Sequence, residues 1–486
     1  MNRKSDSARI GNSVLAARLR HLEKMKTLLV GDNISNPNWG GRAVSITLRQ
    51  ILAGLFPISD AITGDAFLPD VAGFGYVDTL LPARYDWLYL KLRQKQSRSR
   101  LCRFYVAVEE LAGAKDFVAE EPPETVRNIL RYKSRHSKIR QIYEQVAGAD
   151  LVLINGEGDM VLSTPPRREA LFLMGVAELA LQLKKKVAFV NSMISDCPMT
   201  GQNVKTLNFL RNILSRCAAV TVRDHESLEY LSRQMPEVEC AMVPDSVFAW
   251  FKAIGESEAT IPANGDFIIP FPENTEHLGK LNFERPYICV GGSALAEQDT
   301  EKSIKHFSRL VFRLQQLNYP VYLTENCAGD AFLRRVAAAT GAGLIPVNTS
   351  VYMGAAILAN ARLFVSGRYH PSIFASLGGT PCIFIESSAH KMESLQRVLE
   401  YEQIRQFSLF CSEAEMDEMI ERAKNYLRAG DVLRTKIRAI AHRRYEEVCG
   451  LAELLCEKLQ PEESNVAIAG RTTGEVEAAE LTSKAE

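Results

Sequence analysis

The sequence predicts an α/β protein made of two similar halves with a cleft between them, followed by C-terminal helices. Three observations lead to this fold class. From about residue 27, short apolar runs alternate with longer amphipathic stretches, the pattern of βαβ units and parallel sheets. Residues 250–284 interrupt that rhythm with several prolines, and the alternation then restarts. The length of 486 residues also exceeds what one compact core accommodates.

The first half is predicted to cover residues 26–249. Its apolar runs are typical of buried parallel strands, at residues 26–32, 149–155, 186–191, 218–222 and 240–244. The stretches between them have helical periodicity, at residues 42–55, 169–185 and 205–216. Residues 1–25 are interpreted as a basic leader without the apolar core of a secretory signal.

The second half is predicted to cover residues 285–400, after a linker at 250–284. Its strands are expected at residues 286–292, 320–324, 343–347, 361–367 and 381–386, with helices at 301–317, 330–340, 351–360 and 370–377. The segment 401–460 is predicted to hold two helices, at about 412–429 and 431–459, and residues 461–486 a disordered acidic tail. Ligands of open α/β sheets bind beyond the carboxyl ends of the strands, so the cleft is the expected site.

The composition argues against several classes of protein. The 58 basic and 58 acidic side chains give zero formal charge, which argues against bulk binding of nucleic acid. No run approaches the ~20 apolar residues that a membrane-spanning helix needs. The ten cysteines are scattered without a CxxC pair, as expected for reduced thiols of a cytoplasmic protein rather than for a structural metal site.

Two basic stretches stand apart, at residues 84–104 and 127–143. Both contain regularly spaced apolar residues, so they could rest on anionic lipid and hold the protein peripherally at the inner face of a membrane. A solvated helical face with internal charge pairing is the more common origin of such a pattern. We therefore expect a cytoplasmic protein, with peripheral membrane contact as an open alternative.

The most informative segment is the strand-to-helix passage ARLFVSGRYHPSIFASLGGTPCIFIE. Arg368 and His370 follow an apolar strand directly, and a helix rich in small residues begins at the same point. A guanidinium, an imidazole and the free N–H groups of a helix N-terminus favour a carboxylate or phosphate ligand. An imidazole can also move protons near neutral pH. A capping histidine beside a surface arginine is the alternative interpretation.

This segment and four others, in the same order, resemble the signature of the polysaccharide pyruvyl transferase family. The others are NPNWGGRA, LVLINGEGD, TVRDHESLEYL and VPDSVF, and Lys391 in AHKMESL matches a lysine often found after the last core strand. The resemblance implies a GT-B-like fold of two Rossmann-like domains. It also implies transfer of a pyruvyl group from phosphoenolpyruvate (PEP) to a sugar of a cell-surface or exopolysaccharide glycan, or of its lipid-linked precursor, as a ketal. PEP would be the donor substrate, with no further cofactor and no metal.

The resemblance assigns PEP binding to Arg368 and His370 of the second half and to Arg223 of the first, the acceptor side. Planar guanidinium groups suit both the carboxylate and the phosphate of PEP. Lys391 would neutralise the phosphate as it leaves, although a lysine near a helix start can equally face solvent. Asp224 would orient the anion or, as we favour, cap the helix that follows it.

Ketal formation needs a base for the attacking sugar hydroxyl and an acid for the methylene carbon of PEP. We expect His370 to be the acid and Glu157 the base. Glu157 lies between Gly156 and Gly158 at a strand end, where the backbone can approach a ligand closely. A solvated loop acid is the alternative for Glu157. Asp245, at another strand end, caps the next turn or faces the cleft.

The first glycine loop departs from the family pattern. It reads Asn38-Trp39-Gly40-Gly41-Arg42, without the acid that the family commonly has there, and an acid interrupts the glycine run after the central strand. These loops would line the acceptor side, with Asn38, Gly40 and Gly156 among the binding residues. Trp39 could stack on a sugar ring. Arg42 could contact the ligand beside the helix N-terminus, with a surface position as its alternative.

Two other functions stay open from the sequence. A nucleotide-sugar glycosyltransferase of the GT-B type would need a nucleotide pocket in the second half, where no ribose-binding acid is evident. A non-catalytic relative that binds an anionic ligand is the second alternative, because the N-terminal loop is altered. The sequence does not specify the acceptor sugar, the linkage or the oligomeric state.

Overall fold

The computed structural model describes residues 25–64, 116–134, 136–254 and 281–459. Nearly all of the predicted basic leader, the basic stretch 84–104, most of the linker and the acidic tail lie outside these ranges. The predicted domain boundaries therefore stay predictions.

The first half is a doubly wound α/β domain. Its strands are β1 (Thr27–Asp32), β2 (Ile58–Thr63), β3 (Leu151–Glu157), β4 (Val161–Leu162), β5 (Lys186–Ser192), β6 (Ser195–Asp196), β7 (Ala219–Val222) and β8 (Ala241–Met242). Its helices are α1 (Trp39–Leu52), α2 (Pro122–Tyr132), α3 (Ser137–Gly148), α4 (Arg168–Gln182), α5 (Val204–Leu214), α6 (His225–Gln234) and α7 (Phe251–Ile254). Six strands form one parallel sheet in the order β2-β1-β3-β5-β7-β8, and β4 pairs with β6 in a separate ribbon.

The second half is a Rossmann-like domain. Its strands are β9 (Ile288–Ser293), β10 (Val321–Thr324), β11 (Gly343–Ile345), β12 (Leu363–Gly367), β13 (Cys382–Ile385) and β14 (Gln406–Phe407). Its helices are α8 (Thr300–Gln315), α9 (Leu333–Thr340), α10 (Val351–Asn360), α11 (Tyr369–Leu377) and α12 (Lys391–Val398). The parallel sheet has the order β11-β10-β9-β12-β13-β14, which in chain order is the 3-2-1-4-5-6 arrangement of dinucleotide-binding domains.

The two halves share a hydrophobic core. Successive residues of a strand point to opposite faces of its sheet, so Leu28 of β1 packs beneath the outer helices whereas Leu29 packs in a cluster that continues into the second half. In that shared cluster the ring of Trp250 lies 4.4 Å from Tyr352 and 5.5 Å from Phe374. This closely packed junction fixes the position of the carboxyl ends of one sheet relative to those of the other.

The last elements of the described part of the chain are two helices, α13 (Glu413–Cys449) and α14 (Leu451–Lys458). Gly430 adopts a left-handed backbone with φ of 52° and breaks α13, next to the predicted boundary between two helices. The last helix returns to the first half, where Nζ of Lys186 donates to the carbonyl of Leu459 at 2.7 Å. The rings of Phe251 and Tyr445 stack at 5.9 Å.

The predicted fold class is confirmed: two Rossmann-like domains in a GT-B-like arrangement, with C-terminal helices. The prediction missed β2, which lies at the sheet edge and in whose sequence, ISDAIT, three of the six residues are polar. The basic stretch 127–143 falls on α2 and α3, with position 135 outside the described residues. Within the described ranges, none of the helices combines the length and apolar character that a membrane span requires.

Candidate active site

The polar side chains that follow four strands meet where the two halves face each other. Arg223 and Asp224 follow β7, and Asp245 follows β8 in the first half. In the second half, Arg368 and His370 follow β12, and Lys391 begins α12 after β13. Because the carboxyl ends of both parallel sheets face this region, it is the crevice in which open α/β sheets bind ligands.

His370 pairs with a buried carboxylate of the other half. Its Nε2 atom lies 3.3 Å from Oδ2 of Asp245 and 3.4 Å from Nη1 of Arg223. Burial alone would raise the pKa of Asp245, but the adjacent His370 and Arg223 outweigh it and hold that pKa below its usual value. The carboxylate is therefore ionised at neutral pH.

Arg223 is the cation at the floor of the cleft. Its guanidinium donates to Asp245 at 2.9 Å and lies 4.2 Å from the centre of the Tyr369 ring. The side chain is 1% exposed, and its Nε atom is buried without a hydrogen-bond partner. Buried donors are normally paired. Arg223 is thus held rigidly between the two halves, with hydrogen-bonding capacity left over.

The first glycine loop lies directly against His370. Asn38 caps α1 by accepting a hydrogen bond from the N–H of Gly40 at 2.9 Å. A Cβ atom at position 40 would overlap the imidazole ring, so glycine is needed for this close approach. Nε of Arg42 donates to the carbonyl of Asn36 at 3.1 Å, and the side chain is buried rather than on the surface.

Lys391 lies beside the second glycine loop. A Cβ atom on Gly158 would come within 2.7 Å of its Nζ atom and 3.5 Å of Nη2 of Arg223. Burial, with the charges of Arg223 and Arg167, lowers the pKa of Lys391 to about 8. Burial also raises the pKa of Asp159 to about 6, against the opposing charge of Arg167. This corner therefore carries groups that titrate near neutral pH, a frequent property of functional sites.

Glu157 ends β3 and is held by two asparagines. Its Oε1 atom accepts hydrogen bonds from Nδ2 of Asn33 at 2.9 Å and of Asn155 at 3.2 Å. Its φ of 39° is unusual for a residue with a side chain and is more common at functional sites than elsewhere. Gly156, beside it, packs against Ser192. Sequence reasoning missed Asn33, which follows β1 in a polar loop that gives no motif.

Arg368 is bound by an acid of its own half. Its Nε and Nη2 atoms donate to Oδ1 of Asp330, at 3.0 and 2.7 Å. Asp330 is fully buried, and its other oxygen accepts from the N–H of Asn326 at 3.0 Å. Asp330 also lies against Gly292 at the end of β9, where a Cβ atom would collide with it. This pair therefore occupies the crevice between β9 and β12.

His390, which the sequence reasoning missed, also faces an acid of the other half. Its Nε2 atom lies 3.1 Å from Oδ1 of Asp224. Asp224 accepts from the N–H of Ser227 at 2.8 Å and so caps α6, the role that we favoured for it. The only available signal was that His390 precedes Lys391, because 166 residues separate the partners.

Trp39 does not occupy the predicted position. Its side chain is 0% exposed, and its indole packs against Gly354 of α10 while Nε1 donates to the carbonyl of Val347 at 3.0 Å. No ring face is open to a sugar, so the stacking prediction does not hold in this structure. The residue lies at the start of α1 rather than in the loop, and it fills the junction between the halves.

The described residues contain no group of three or more His, Cys, Asp or Glu side chains placed to hold a metal ion.

Sequence comparison identifies the family. A sequence model of the family described as Polysaccharide pyruvyl transferase matches residues 38–388. The chain belongs to this family. The match includes the predicted site residues of the pyruvyl transferase signature from Asn38 to His370 and ends just before His390 and Lys391. No curated protein matches the chain.

Several solved structures are similar in backbone. A UDP-GlcNAc 2-epimerase from Neisseria meningitidis bound to UDP-GlcNAc is 11% identical, with a TM-score of 0.48 over 90% of this chain and 99% of that one. An alpha,alpha-trehalose-phosphate synthase (UDP-forming) from Burkholderia vietnamiensis is 10% identical, with a TM-score of 0.48 over 89% and 97%. Similarities this low carry no information about the substrate of this pyruvyl transferase family member.

Proposed function

We propose that this protein transfers the pyruvyl group of PEP to a sugar as a ketal and releases inorganic phosphate. Besides family membership, the observation that carries the proposal is the convergence of Arg223, His370 and Lys391 from both halves on one floor. PEP bears a carboxylate and a phosphate, which guanidinium and ammonium groups bind well. The proposed reaction uses PEP as donor and needs no further cofactor.

Two anion positions suit the two charged groups of PEP. Arg368 is held by Asp330 through Nε and Nη2, which fixes the guanidinium plane and leaves the Nη1 edge for a ligand. Nζ of Lys391 and Nη2 of Arg223 both lie near the position that a Cβ atom would take on Gly158, and glycine leaves that position empty. In the proposal, one position takes the carboxylate and the other takes the phosphate that leaves.

The proposed chemistry joins two sugar oxygens to C2 of PEP. One sugar hydroxyl forms a bond to C2 while C3 accepts a proton and becomes a methyl group. The bond from C2 to the phosphate oxygen then breaks, and a second hydroxyl of the same sugar closes the ketal. Of the two hydroxyl protons, one ends on C3 and the other on the released phosphate.

His370 is the proposed acid for C3, and Glu157 the proposed base for the sugar hydroxyl. The Nε2 atom of His370 lies 3.3 Å from the buried carboxylate of Asp245, which holds the ring in place for the transfer of a proton. Glu157 ends a strand of the first half, the acceptor side, and two asparagine amides fix its carboxylate. The acceptor in this proposal is a glycan or a lipid-linked saccharide, and the place of action is the cytoplasm or the inner face of a membrane.

Ligand binding tests the proposal first. Purified protein is heated with PEP and, separately, with UDP-sugars, and unfolding is followed by a thermal shift. We expect PEP to raise the midpoint of unfolding in the wild type and not in Arg368→Ala. A response to UDP-sugars alone would favour a nucleotide-sugar glycosyltransferase and reject the proposal. The Arg368–Asp330 pair in the β9–β12 crevice makes that outcome the less expected one.

Product formation tests the reaction itself. Candidate glycans are incubated with PEP, and released phosphate is measured alongside the mass gain of the glycan. Binding of PEP without release of phosphate on any glycan would favour a non-catalytic relative that binds anions.

A further inference from the structure

A second histidine–carboxylate pair joins the two halves beside the cleft. His390 precedes α12 of the second half and contacts Asp224, which is fully buried at the start of α6 in the first half. Oδ1 of Asp224 serves both Nε2 of His390 and the N–H of Ser227, while Oδ2 is buried without a partner. The pair is partly shielded from water, so its hydrogen bond is stronger than an exposed one would be.

The chain neighbours of this pair are the two cations of the proposed anion site. Asp224 directly follows Arg223, and His390 directly precedes Lys391. Nζ of Lys391 and the guanidinium of Arg223 both border Gly158. Two like charges repel each other. Asp159 and Glu157 attract Lys391 in return, and the structure before Lys391 adds a further restraint.

The backbone just before Lys391 also has an unfavourable conformation that its surroundings must hold. Ala389 has a φ of 54°, a left-handed conformation that a residue with a Cβ atom rarely adopts. One further ion pair joins α12 to α6, in which Nε of Arg397 lies 2.8 Å from Glu226. It lies two turns from the start of α12 and does not border Gly158, so it can hold the helices together without placing Lys391.

We propose that His390 and Asp224 are positioning residues, whose cross-domain hydrogen bond holds Lys391 against Gly158 and Arg223 and so completes the anion site. The anion is the carboxylate or phosphate of the donor substrate, and this part rests on the proposed function. The proposed placement of Lys391 does not depend on the proposed function. The charged groups that face Lys391 are Arg223 and Arg167, which lower its pKa, and Asp159 and Glu157, which raise it. Those that face His390 are Asp224 and Glu226.

The placement is tested without substrate. Trace acetylation of Lys391 is followed by mass spectrometry as a function of pH. In the wild type, the labelling midpoint is expected near pH 8, the pKa that burial and two guanidinium groups give this amine. In His390→Ala and in Asp224→Ser, whose shorter side chain withdraws from His390, Lys391 is expected to leave its site, and the midpoint to move towards the ordinary lysine value of about 10.4.

Two further variants control the test. Glu226→Gln breaks the other ion pair between the same helices and is expected to leave the midpoint unchanged. His390→Gln keeps a side-chain N–H that can reach Asp224, so its midpoint is expected to stay near that of the wild type. Serine remains a good helix cap, so Asp224→Ser is a folded test even if His390→Ala does not fold. A midpoint that stays near pH 8 in both Asp224→Ser and His390→Ala overturns the proposal.

Kinetics then connect the placement to the donor. When Lys391 is present, His390→Ala is expected to raise KM for PEP about tenfold. In a Lys391→Met background, the same substitution should have little further effect, because the effects of substitutions at coupled residues do not add. Additive effects in the two backgrounds would contradict the proposal. If the midpoint shifts as expected but the wild type never consumes PEP, the positioning role stands and the proposed function fails.

Discussion

The two cross-domain histidine–carboxylate pairs of the cleft differ in what shares the carboxylate. Oδ2 of Asp245 is shared between His370 and the guanidinium of Arg223. Oδ1 of Asp224 is shared between His390 and a backbone N–H that begins a helix. Both carboxylates cap the turn or helix that follows them, since Oδ1 of Asp245 accepts from the N–H of Val247 at 2.9 Å, but of the two only Asp245 also binds a guanidinium group. The same pair of residue types takes a chemical role in one place and a positioning role in the other because of its neighbours.

The strongest test of this difference is His370→Ala. Loss of the proposed acid is expected to lower kcat for PEP-dependent phosphate release by about 10²- to 10⁴-fold. The effect should greatly exceed that of His390→Ala, which acts on KM. Steady-state kinetics of both variants give the comparison. Phosphate release at the wild-type rate in His370→Ala would show that His370 is not the acid.

Removal of Arg368 is expected to weaken PEP binding next. Hydrogen bonds to charged groups contribute about 1.5–3 kcal/mol, so Arg368→Ala should raise the Kd for PEP about 10- to 100-fold. Calorimetric titration measures this value. Arg335→Ala removes an exposed arginine that pairs with Glu301 in the same half, and it should leave the Kd unchanged. Equal effects of the two variants would contradict a specific role for Arg368.

Gly40 contacts the imidazole of His370 and therefore tests whether the position of that ring matters for catalysis. Gly40→Ala places a methyl group where the ring of His370 lies, and the displaced acid should lower kcat about tenfold or more. Gly54→Ala is the matched control, because a Cβ atom there meets nothing within 4 Å. Kinetics of both variants, with thermal unfolding as a check on folding, decide the point. An unchanged kcat in Gly40→Ala would separate His370 from the chemistry.

The pH dependence of kcat/KM tests the role of Lys391, the residue that we expect the His390–Asp224 pair to position. The amine of Lys391 is cationic below its pKa of about 8 and neutral above it. Attraction for PEP is therefore present at neutral pH and lost as the pH rises through 8. We expect kcat/KM to fall about tenfold per pH unit above that value. In Lys391→Met, this fall of kcat/KM above pH 8 should disappear. If the fall persists, it arises from the titration of another group.

Trp39→Phe gives the smallest expected effect on function. The change removes the hydrogen bond to Val347 and leaves a small cavity at the junction of the halves, which should lower the free energy of unfolding by about 1–3 kcal/mol. Denaturant unfolding measures the loss, with KM for the acceptor measured in parallel. A large rise in that KM without loss of stability would restore the sugar-stacking role.

The fold was largely predictable because buried parallel strands leave a strong signal. The run ADLVLIN was predicted as a strand and forms most of β3, which is buried except at its end. Edge elements such as β2 were missed, since exposure on one side makes their composition resemble a loop. The break between the C-terminal helices was predictable because Gly430 is the one residue there that adopts a left-handed backbone without strain.

The site was predictable where one motif contains its parts. Arg368 and His370 lie two residues apart after a strand, so strand and helix patterns alone place them together. His390 and Asp224 meet only because two strands from different halves end at the same cleft, and no local pattern encodes that. Trp39 was misjudged because its polar neighbours indicate an exposed loop, whereas the residue packs between the halves.

The return of the C-terminal helices to the first half has a consequence for biosynthesis. Arg434 of α13 donates to the carbonyls of Ala359 and Gly378, at the ends of α10 and α11. Leu455 and Leu459 fill the same shared cluster as Leu48 of α1. A nascent chain that still holds its last turns inside the ribosome lacks these contacts. The hydrophobic cluster that joins the two halves is therefore completed only after residue 459 has emerged, and a chain that stops earlier exposes apolar surface to quality control.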